Sequence, residues 1–175
     1  ECCFVDDLGL AFPGAIGIDN DEKIAGLAKI AEAIKSKGSK ALLQIYHGGR
    51  MVDPKLIGGR TPVGPSAVAA PRDGAATPVA LTTAEVEGMI GKFGEAVRRA
   101  IQAGFDGVEI HGANTYLIQQ FYSPNSNQRT DEWGGSRDNR AKFPLAVLEI
   151  THKMVRQYAD DAFIIGYRFS PEELE

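Results

Sequence analysis

Residues 105–111 read Phe-Asp-Gly-Val-Glu-Ile-His, and the alternation in this stretch decides how the rest of the chain is to be understood. Side chains on a strand point to opposite faces in turn. Gly107, Glu109 and His111 therefore share one face, while Val108 and Ile110 share the other and are expected to pack against helices. His111 emerges at the C-terminal end of the strand on the polar, interior face. The preceding segment predicts a helix from Thr82 or Thr83 to Gly104. Thr82-x-x-Glu85 is a capping box, Val86, Ile90, Phe93, Val97 and Ile101 recur at helical spacing, and Gly104 is a natural stop. Gly88, Gly91 and Gly94 inside that helix cost propensity and are read as places where a neighbouring element approaches closely.

The same pattern repeats outward in both directions. Upstream, residues 41–46 (Ala-Leu-Leu-Gln-Ile-Tyr) form a short apolar run that reads as a buried strand. A helix over residues 19–37 precedes it, with Ile24, Leu27, Ile30, Ala31 and Ile34 on one stripe and Gly38 after it. Downstream, a helix over residues 137–158 carries Phe143, Leu145, Leu148, Val155 and Tyr158, and residues 163–169 (Phe-Ile-Ile-Gly-Tyr-Arg-Phe) close the pattern as a strand. The opening residues, Glu-Cys-Cys-Phe-Val, read as the end of another strand, which suggests a piece of something longer. Four strands separated by three helices imply right-handed parallel crossovers and a sheet covered by helices, the α/β class. The extra length lies after each strand and before each helix, and in a (β/α) barrel that is the face where active sites are built. The largest such insertion, residues 47–81, holds five of the nine prolines and six glycines. It predicts no regular element, and loops of this length are usually functional or mobile.

Composition narrows the function. With 175 residues, 43% apolar and 24% charged, the chain suits one soluble globular domain. Lysine and arginine number 19 against 23 for aspartate and glutamate, a net charge of −4 with no basic block, so a phosphate-neutralising grip on nucleic acid is not expected. No apolar run approaches the roughly 18 residues that cross a bilayer. No signal pattern opens the chain, and the cytoplasm is the default. Cys2 and Cys3 are neighbours, which suits neither a disulfide framework nor a metal-ligand spacing, and they read as small buried or half-buried residues. No nucleophile elbow, dinucleotide fingerprint or Walker sequence occurs.

Strand alternation brings further polar residues to the interior face. Gln44 points opposite to Leu43 and Ile45, and Arg168 opposite to Ile165, Tyr167 and Phe169. With His111, three strands each send one polar side chain inward. Because a buried polar group without a partner is costly, the convergence argues either for a polar ligand or for an internal hydrogen-bonded network. A metal at Glu109 and His111 would need a third ligand that the neighbourhood does not supply, so no metal is expected. Asn114 and Tyr116 follow His111 closely, and Gly112 and Ala113 leave room for backbone approach.

Those residues also carry a resemblance. His111-Gly-Ala-Asn-Thr-Tyr-Leu-Ile-Gln-Gln-Phe, then Ser123-Pro, then Asn127-Gln-Arg-Thr-Asp-Glu-Trp-Gly-Gly-Ser-Arg-Asp-Asn-Arg140, resembles the signature of the Old Yellow Enzyme family of FMN-dependent oxidoreductases. Leu43-Gln-Ile-Tyr-His-Gly-Gly-Arg50 looks like that family's flavin-contacting strand, and Gly166-Tyr-Arg-Phe-Ser-Pro171 like its later strand with a flavin-facing arginine. Phe12-Pro-Gly14, ahead of a helix near Asp21-Glu22, is similar to the family's second βα unit. The resemblance implies a parallel (β/α) TIM barrel of which residues 1–175 cover about four consecutive βα units, roughly strands two to five of an FMN-binding domain.

It further implies that Gln44, His111 and Arg168 bind FMN. His111 and Asn114 would donate hydrogen bonds to a substrate carbonyl, and Tyr116 would deliver a proton as general acid. The residues by themselves leave other roles open: a structural amide for Gln44, an ion pair with Glu109 for Arg168, an aromatic wall for Tyr116. The implied reaction uses NADH or NADPH to reduce FMN and passes hydride to the alkene of an α,β-unsaturated carbonyl compound. A dienoyl reductase or a steroid-type reductase with appended redox domains has a similar barrel. The alternative reading is a non-catalytic fragment or interaction module, pairing its open edges with another chain, a second copy or the missing barrel half. Thr115 stands where the family more often has glycine, and its β-branched side chain is expected to narrow the pocket or alter the turn.

Overall fold

The alternating stretch forms the strand Gly107–Gly112 in the computed structural model, which describes residues 2–171. In chain order the strands are β1 (Cys2–Phe4), β2 (Ile16–Gly17), β3 (Leu42–Tyr46), β4 (Val63–Gly64), β5 (Val79–Ala80), β6 (Gly107–Gly112) and β7 (Ile164–Phe169). The α-helices are α1 (Ile24–Lys35), α2 (Thr83–Gln102), α3 (Leu117–Tyr122) and α4 (Arg137–Tyr158).

The main sheet has the order β2-β1-β3-β6-β7, with every neighbouring pair parallel. Strands β1, β3, β6 and β7 are the four expected, and α1, α2 and α4 are the crossovers between them. The order is sequential along these four, as short un-knotted connections require. Strand β2 adds a fifth at the edge beside β1. Its two residues are too few to show an alternation in sequence.

Two further departures lie in the insertions. Residues 47–81 do carry regular structure, namely 3-10 turns at Gly49–Met51 and Pro54–Ile57 and a small parallel ladder of β4 with β5. The stretch after β6 contains the six-residue helix α3, whose N-cap, Tyr116, makes no capping hydrogen bond through its side chain. The β4–β5 ladder and α3 show no period or cap in sequence, whereas the turn at Pro54–Ile57 is capped by Asp53, whose carboxylate accepts the Lys55 backbone N–H at 2.9 Å.

Register fixes the two faces. Gln44 is paired with Cys2 and Glu109, Tyr46 with Phe4, and Arg168 with His111. Paired residues of parallel strands share a face, so Cys2, Gln44, Tyr46, Glu109, His111 and Arg168 lie together on the inner face. The opposite face carries Cys3, Leu43, Ile45, Val108 and Ile110, all buried against the helices. Leu27 and Ala31 of α1, Val86, Phe93 and Val97 of α2, and Phe143 and Val147 of α4 complete that core. Phe143 stacks on Phe121 of α3 with ring centres 4.1 Å apart and meets Phe93 edge-on at 6.5 Å, so three helices share one aromatic joint. As expected of small residues beside a core, Cys3 is buried and Cys2 half-buried.

Helix α2 starts as the sequence specifies. Thr82 Oγ1 accepts a hydrogen bond from the Glu85 backbone N–H at 3.3 Å, and the Glu85 carboxylate accepts one from the Thr82 N–H at 2.7 Å. Its three glycines are not alike. A Cβ at Gly94 would lie 2.6 Å from Ile150 Cγ1 of α4, so close approach explains that glycine, but at Gly88 and Gly91 the space is open and the expectation fails. Both of those are exposed, and nothing in the structure explains their choice.

Candidate active site

The C-terminal ends of β3 and β6 bring a group of rings together. Tyr46 is the last residue of β3 and His111 lies near the end of β6; both are buried, His111 at 5% exposure. Beyond β6 the chain passes through two consecutive left-handed residues, Asn114 (φ 55°) and Thr115 (φ 59°), before Tyr116 caps α3. The reversal carries the Tyr116 ring back over the strand ends, 5.0 Å from His111 and 5.4 Å from Tyr46 between ring centres. Phe12 stacks on the other side of Tyr46 at 6.0 Å, from the loop after β1.

Burial sets the protonation of these rings. It pulls the His111 pKa below its ordinary 6.5, and the nearby Arg168 charge adds to the effect while Glu109 opposes it. His111 is therefore a neutral imidazole at pH 7, and its Nδ1 is buried without a hydrogen-bond partner among the described residues. Burial pushes the Tyr116 phenol above its ordinary 10, helped by the proximity of Cys2, so it holds its proton throughout the neutral range. The same cause pushes Tyr46 up much further.

Deeper along the inner face, Glu109 joins the two other polar residues. Gln44 Nε2 donates to Glu109 Oε2, and Arg168 Nε donates to the same oxygen at 3.1 Å. Burial alone would raise the Glu109 pKa, but these two donors outweigh it and hold the carboxyl below its ordinary value. Both readings of the inward-pointing polar residues thus have a place: an internal network exists, and it leaves donors over. Gln44 retains one amide N–H and its carbonyl, and Arg168, 54% exposed in its side chain, retains its terminal N–H groups. Gln44 and Glu109 border a cavity of about 410 Å³ whose lining also includes Cys2 and Leu42. A planar heteroaromatic ring edged by alternating N–H and carbonyl groups fits such a donor and acceptor set.

The loop after β3 ties the strands to the reversal. His47 is buried; its Nδ1 accepts from the Gly49 N–H at 3.0 Å, and its backbone carbonyl accepts from the Leu117 N–H at 2.9 Å, at the start of α3. On the far side of the ring, Asp6 Oδ1 lies 3.8 Å from Nε2, and Asp6 is also paired with Lys92 of α2. Burial would raise the Asp6 carboxyl, but the imidazole and ammonium beside it hold it far below the usual carboxylate range.

The structure therefore brings His111 and Tyr116 into ring contact and joins Gln44 to Arg168 through Glu109. Asn114 sits exposed on the reversal between the two rings in sequence, its backbone N–H donating to Ser170 Oγ at 3.2 Å. Sequence reasoning passed over Tyr46, although the alternation that places Gln44 inward places Tyr46 on the same face. Among the described residues there is no cluster of three or more His, Cys, Asp or Glu able to hold a metal ion, and no helix long and apolar enough to cross a membrane.

The sequence profile of the NADH:flavin oxidoreductase / NADH oxidase family matches residues 1–175. A protein of Klebsiella pneumoniae (strain 342) named NADH:fumarate oxidoreductase is 86% identical over all 175 residues, which are 19% of its length. One of Vibrio harveyi named NADH:acrylate oxidoreductase is 62% identical, again over the whole chain and 17% of its own length. Among solved structures, morphinone reductase in complex with tetrahydroNAD superposes with a TM-score of 0.88 at 34% identity, covering 98% of this chain and 50% of that one. The chain thus spans less than a fifth of the two curated relatives and half of the morphinone reductase chain.

Proposed function

Because the chain belongs to the NADH:flavin oxidoreductase / NADH oxidase family, whose redox groups are FMN and NADH, we propose that it supplies the substrate-binding half of an FMN-binding barrel that reduces activated alkenes. In that reading residues 1–175 contribute about the second to the fifth strand, and the open edge of β7 pairs with the next strand of the whole protein. The observation that carries the proposal is the buried neutral His111 in ring contact with the protonated Tyr116, on the same sheet face as the Gln44–Glu109–Arg168 network.

FMN, when bound, relays hydride from NADH to the substrate. Gln44 would hold the pyrimidine edge of its ring with the amide N–H and carbonyl left free by Glu109. Arg168 would place a positive charge beside that edge, with Glu109 fixing the guanidinium. Two hydrogen-bonded partners on one carboxylate orient both side chains before the cofactor arrives, which lowers the ordering cost of binding.

His111 and Asn114 would bind the substrate carbonyl. As hydride reaches the β-carbon, negative charge grows on that oxygen, and a donor already aimed at it is worth about 10² to 10³ in rate. His111 suits the task because burial keeps it neutral and a neutral imidazole still offers one N–H donor. Tyr116 would give its phenolic proton to the α-carbon, for which a group protonated at all neutral pH values is required. Tyr46 and Phe12 would form the apolar side of the pocket and exclude water. Fumarate and acrylate, in the names of two relatives, are both alkenes conjugated to a carboxyl group, the electronic arrangement this set would activate.

The reading of the chain as a non-catalytic module accounts for neither the unpartnered His111 nitrogen nor the spare donors on Gln44 and Arg168. The test uses the whole protein. Anaerobic NADH should bleach its oxidised-flavin absorption, and 2-cyclohexenone should restore it. Gln44→Leu and Arg168→Leu should lower flavin content, and His111→Ala should slow only the restoration. A flavin that NADH reduces and no activated alkene reoxidises would defeat the proposal.

A further inference from the structure

Asn114 and Thr115 are consecutive non-glycine residues in the left-handed region, at φ 55° and 59°. For threonine this is a true outlier, because its branched Cβ crowds the backbone there. Such strain persists only where the surroundings over-determine it. Here two glutamines on the first turns of α3 do so.

Gln120 is completely buried, and its carboxamide is used on three sides. Nε2 donates to the Thr115 carbonyl at 2.6 Å and to the Gly48 carbonyl at 3.1 Å, while Oε1 accepts from the Arg50 backbone N–H at 3.0 Å. Gln119, 7% exposed, accepts the Thr115 N–H on its Oε1 at 2.7 Å. Both backbone groups of Thr115 are therefore held by buried carboxamides. Gly49 is cut to match, at φ 58° with no room for a Cβ beside the Gln120 carboxamide.

We infer that Gln119 and Gln120 are positioning residues that lock the strained Asn114–Thr115 reversal and thereby aim Asn114 and Tyr116 at the substrate. The inference rests on the proposed roles of His111, Asn114 and Tyr116. A carboxamide that spans the loop after β3 and the reversal after β6 also ties the Tyr46 and Tyr116 sides of the pocket into one unit. Misplacing a reacting group by about 1 Å costs on the order of 100-fold in rate.

The strain supplies the test. In the whole flavin-loaded protein, Gln120→Met keeps volume but removes all three hydrogen bonds, and kcat with NADH and 2-cyclohexenone should fall by about 10- to 100-fold with flavin content retained. Adding Thr115→Gly, which makes the left-handed conformation cheap, should recover at least about tenfold of that loss. A residue that merely stabilised the fold would not be rescued by a glycine in the turn. No fall in kcat, or a fall that Thr115→Gly leaves untouched, overturns the inference. If Gln120→Met does not fold, Gln119→Leu removes only the Thr115 N–H bond, and the same rescue decides.

Amide hydrogen exchange at residues 114–117 gives a readout independent of turnover. Exchange should quicken in the glutamine variant and slow again in the double variant. Should the wild-type protein hold flavin yet reduce no alkene, the proposed function fails, and exchange alone then upholds the lock if it follows this pattern or overturns it if it does not.

Discussion

Replacing Tyr116 by phenylalanine removes one oxygen and leaves the aromatic assembly standing. The phenyl ring keeps its contacts with His111 at 5.0 Å and Tyr46 at 5.4 Å, so the fold loses at most the hydrogen bonding of one hydroxyl, about 1 kcal/mol. On the role proposed for Tyr116, catalysis would lose its proton donor. A positioned general acid contributes about 10² to 10⁴ in rate, which is about 2.7 to 5.4 kcal/mol at 1.36 kcal/mol per decade.

The loss should fall on one half of the cycle. In rapid mixing of the whole protein, NADH should reduce the flavin of Tyr116→Phe at the wild-type rate, while reoxidation by 2-cyclohexenone slows by at least about 100-fold. The pH profile carries the sign. Burial raises the phenol above its ordinary 10.0, so the acid form persists to higher pH and wild-type reoxidation should not decline through this group across the neutral range. Reoxidation slowed less than about threefold, or an equal slowing of both half-reactions, would refute the assignment of Tyr116 as the acid.

Three other outcomes follow from the packing and charge. Gly94→Ala should destabilise by about 1 to 3 kcal/mol because its Cβ meets Ile150, whereas Gly88→Ala and Gly91→Ala should each stabilise by about 0.5 to 1 kcal/mol; urea midpoints separate the two classes. Phe143→Ala removes the ring shared by α2, α3 and α4 and should cost about 3 to 5 kcal/mol by the same measurement. Asp6→Asn bears on pH. The carboxyl is held below its ordinary 3.8, so its contribution is complete above that value and is lost as the pH falls below it. The variant should be less stable than wild type at pH 7 and converge with it in acid, and a pH-independent difference would contradict the pairing with His47 and Lys92.

Much of this was legible in the chain because the long elements carry periods. The alternation at residues 107–111 assigned Glu109 and His111 to one face, and the capping box put the start of α2 at Thr82 or Thr83, of which Thr82 is the N-cap and Thr83 the first helical residue. The same alternation at residues 42–46 places Tyr46 on the face of Gln44, but within an apolar run an aromatic ring carries no polar signal that marks it as part of a site. Elements of two to six residues, β2, β4, β5 and α3, show no period and depend on their neighbours. Gly88 and Gly91 show the limit of arguing from helix propensity, since its cost can be tolerated without any packing reason.

The site was legible as residue types but not as a lock. His111, Asn114 and Tyr116 stand out by spacing, yet nothing local says that Thr115 takes φ 59° or that Gln119 and Gln120 reach back to hold it. Gln120 is held there by bonds to Gly48 and Arg50 in the loop after β3, 72 and 70 residues upstream. Likewise, the carboxylate that joins Gln44 and Arg168 belongs to a third strand and is placed by register alone.

The most direct test follows the two hydrogens of the product. The whole protein would be given NADH carrying deuterium at the transferable position and 2-cyclohexenone in ordinary water, and then unlabelled NADH in heavy water. Alkene reduction through the His111, Asn114 and Tyr116 set places the cofactor's deuterium on the β-carbon of cyclohexanone and the solvent's on the α-carbon, and His111→Ala forms this labelled product at least about 100-fold more slowly. Cyclohexanone with no label from NADH on the β-carbon, or labelled product formed by His111→Ala at the wild-type rate, would contradict it.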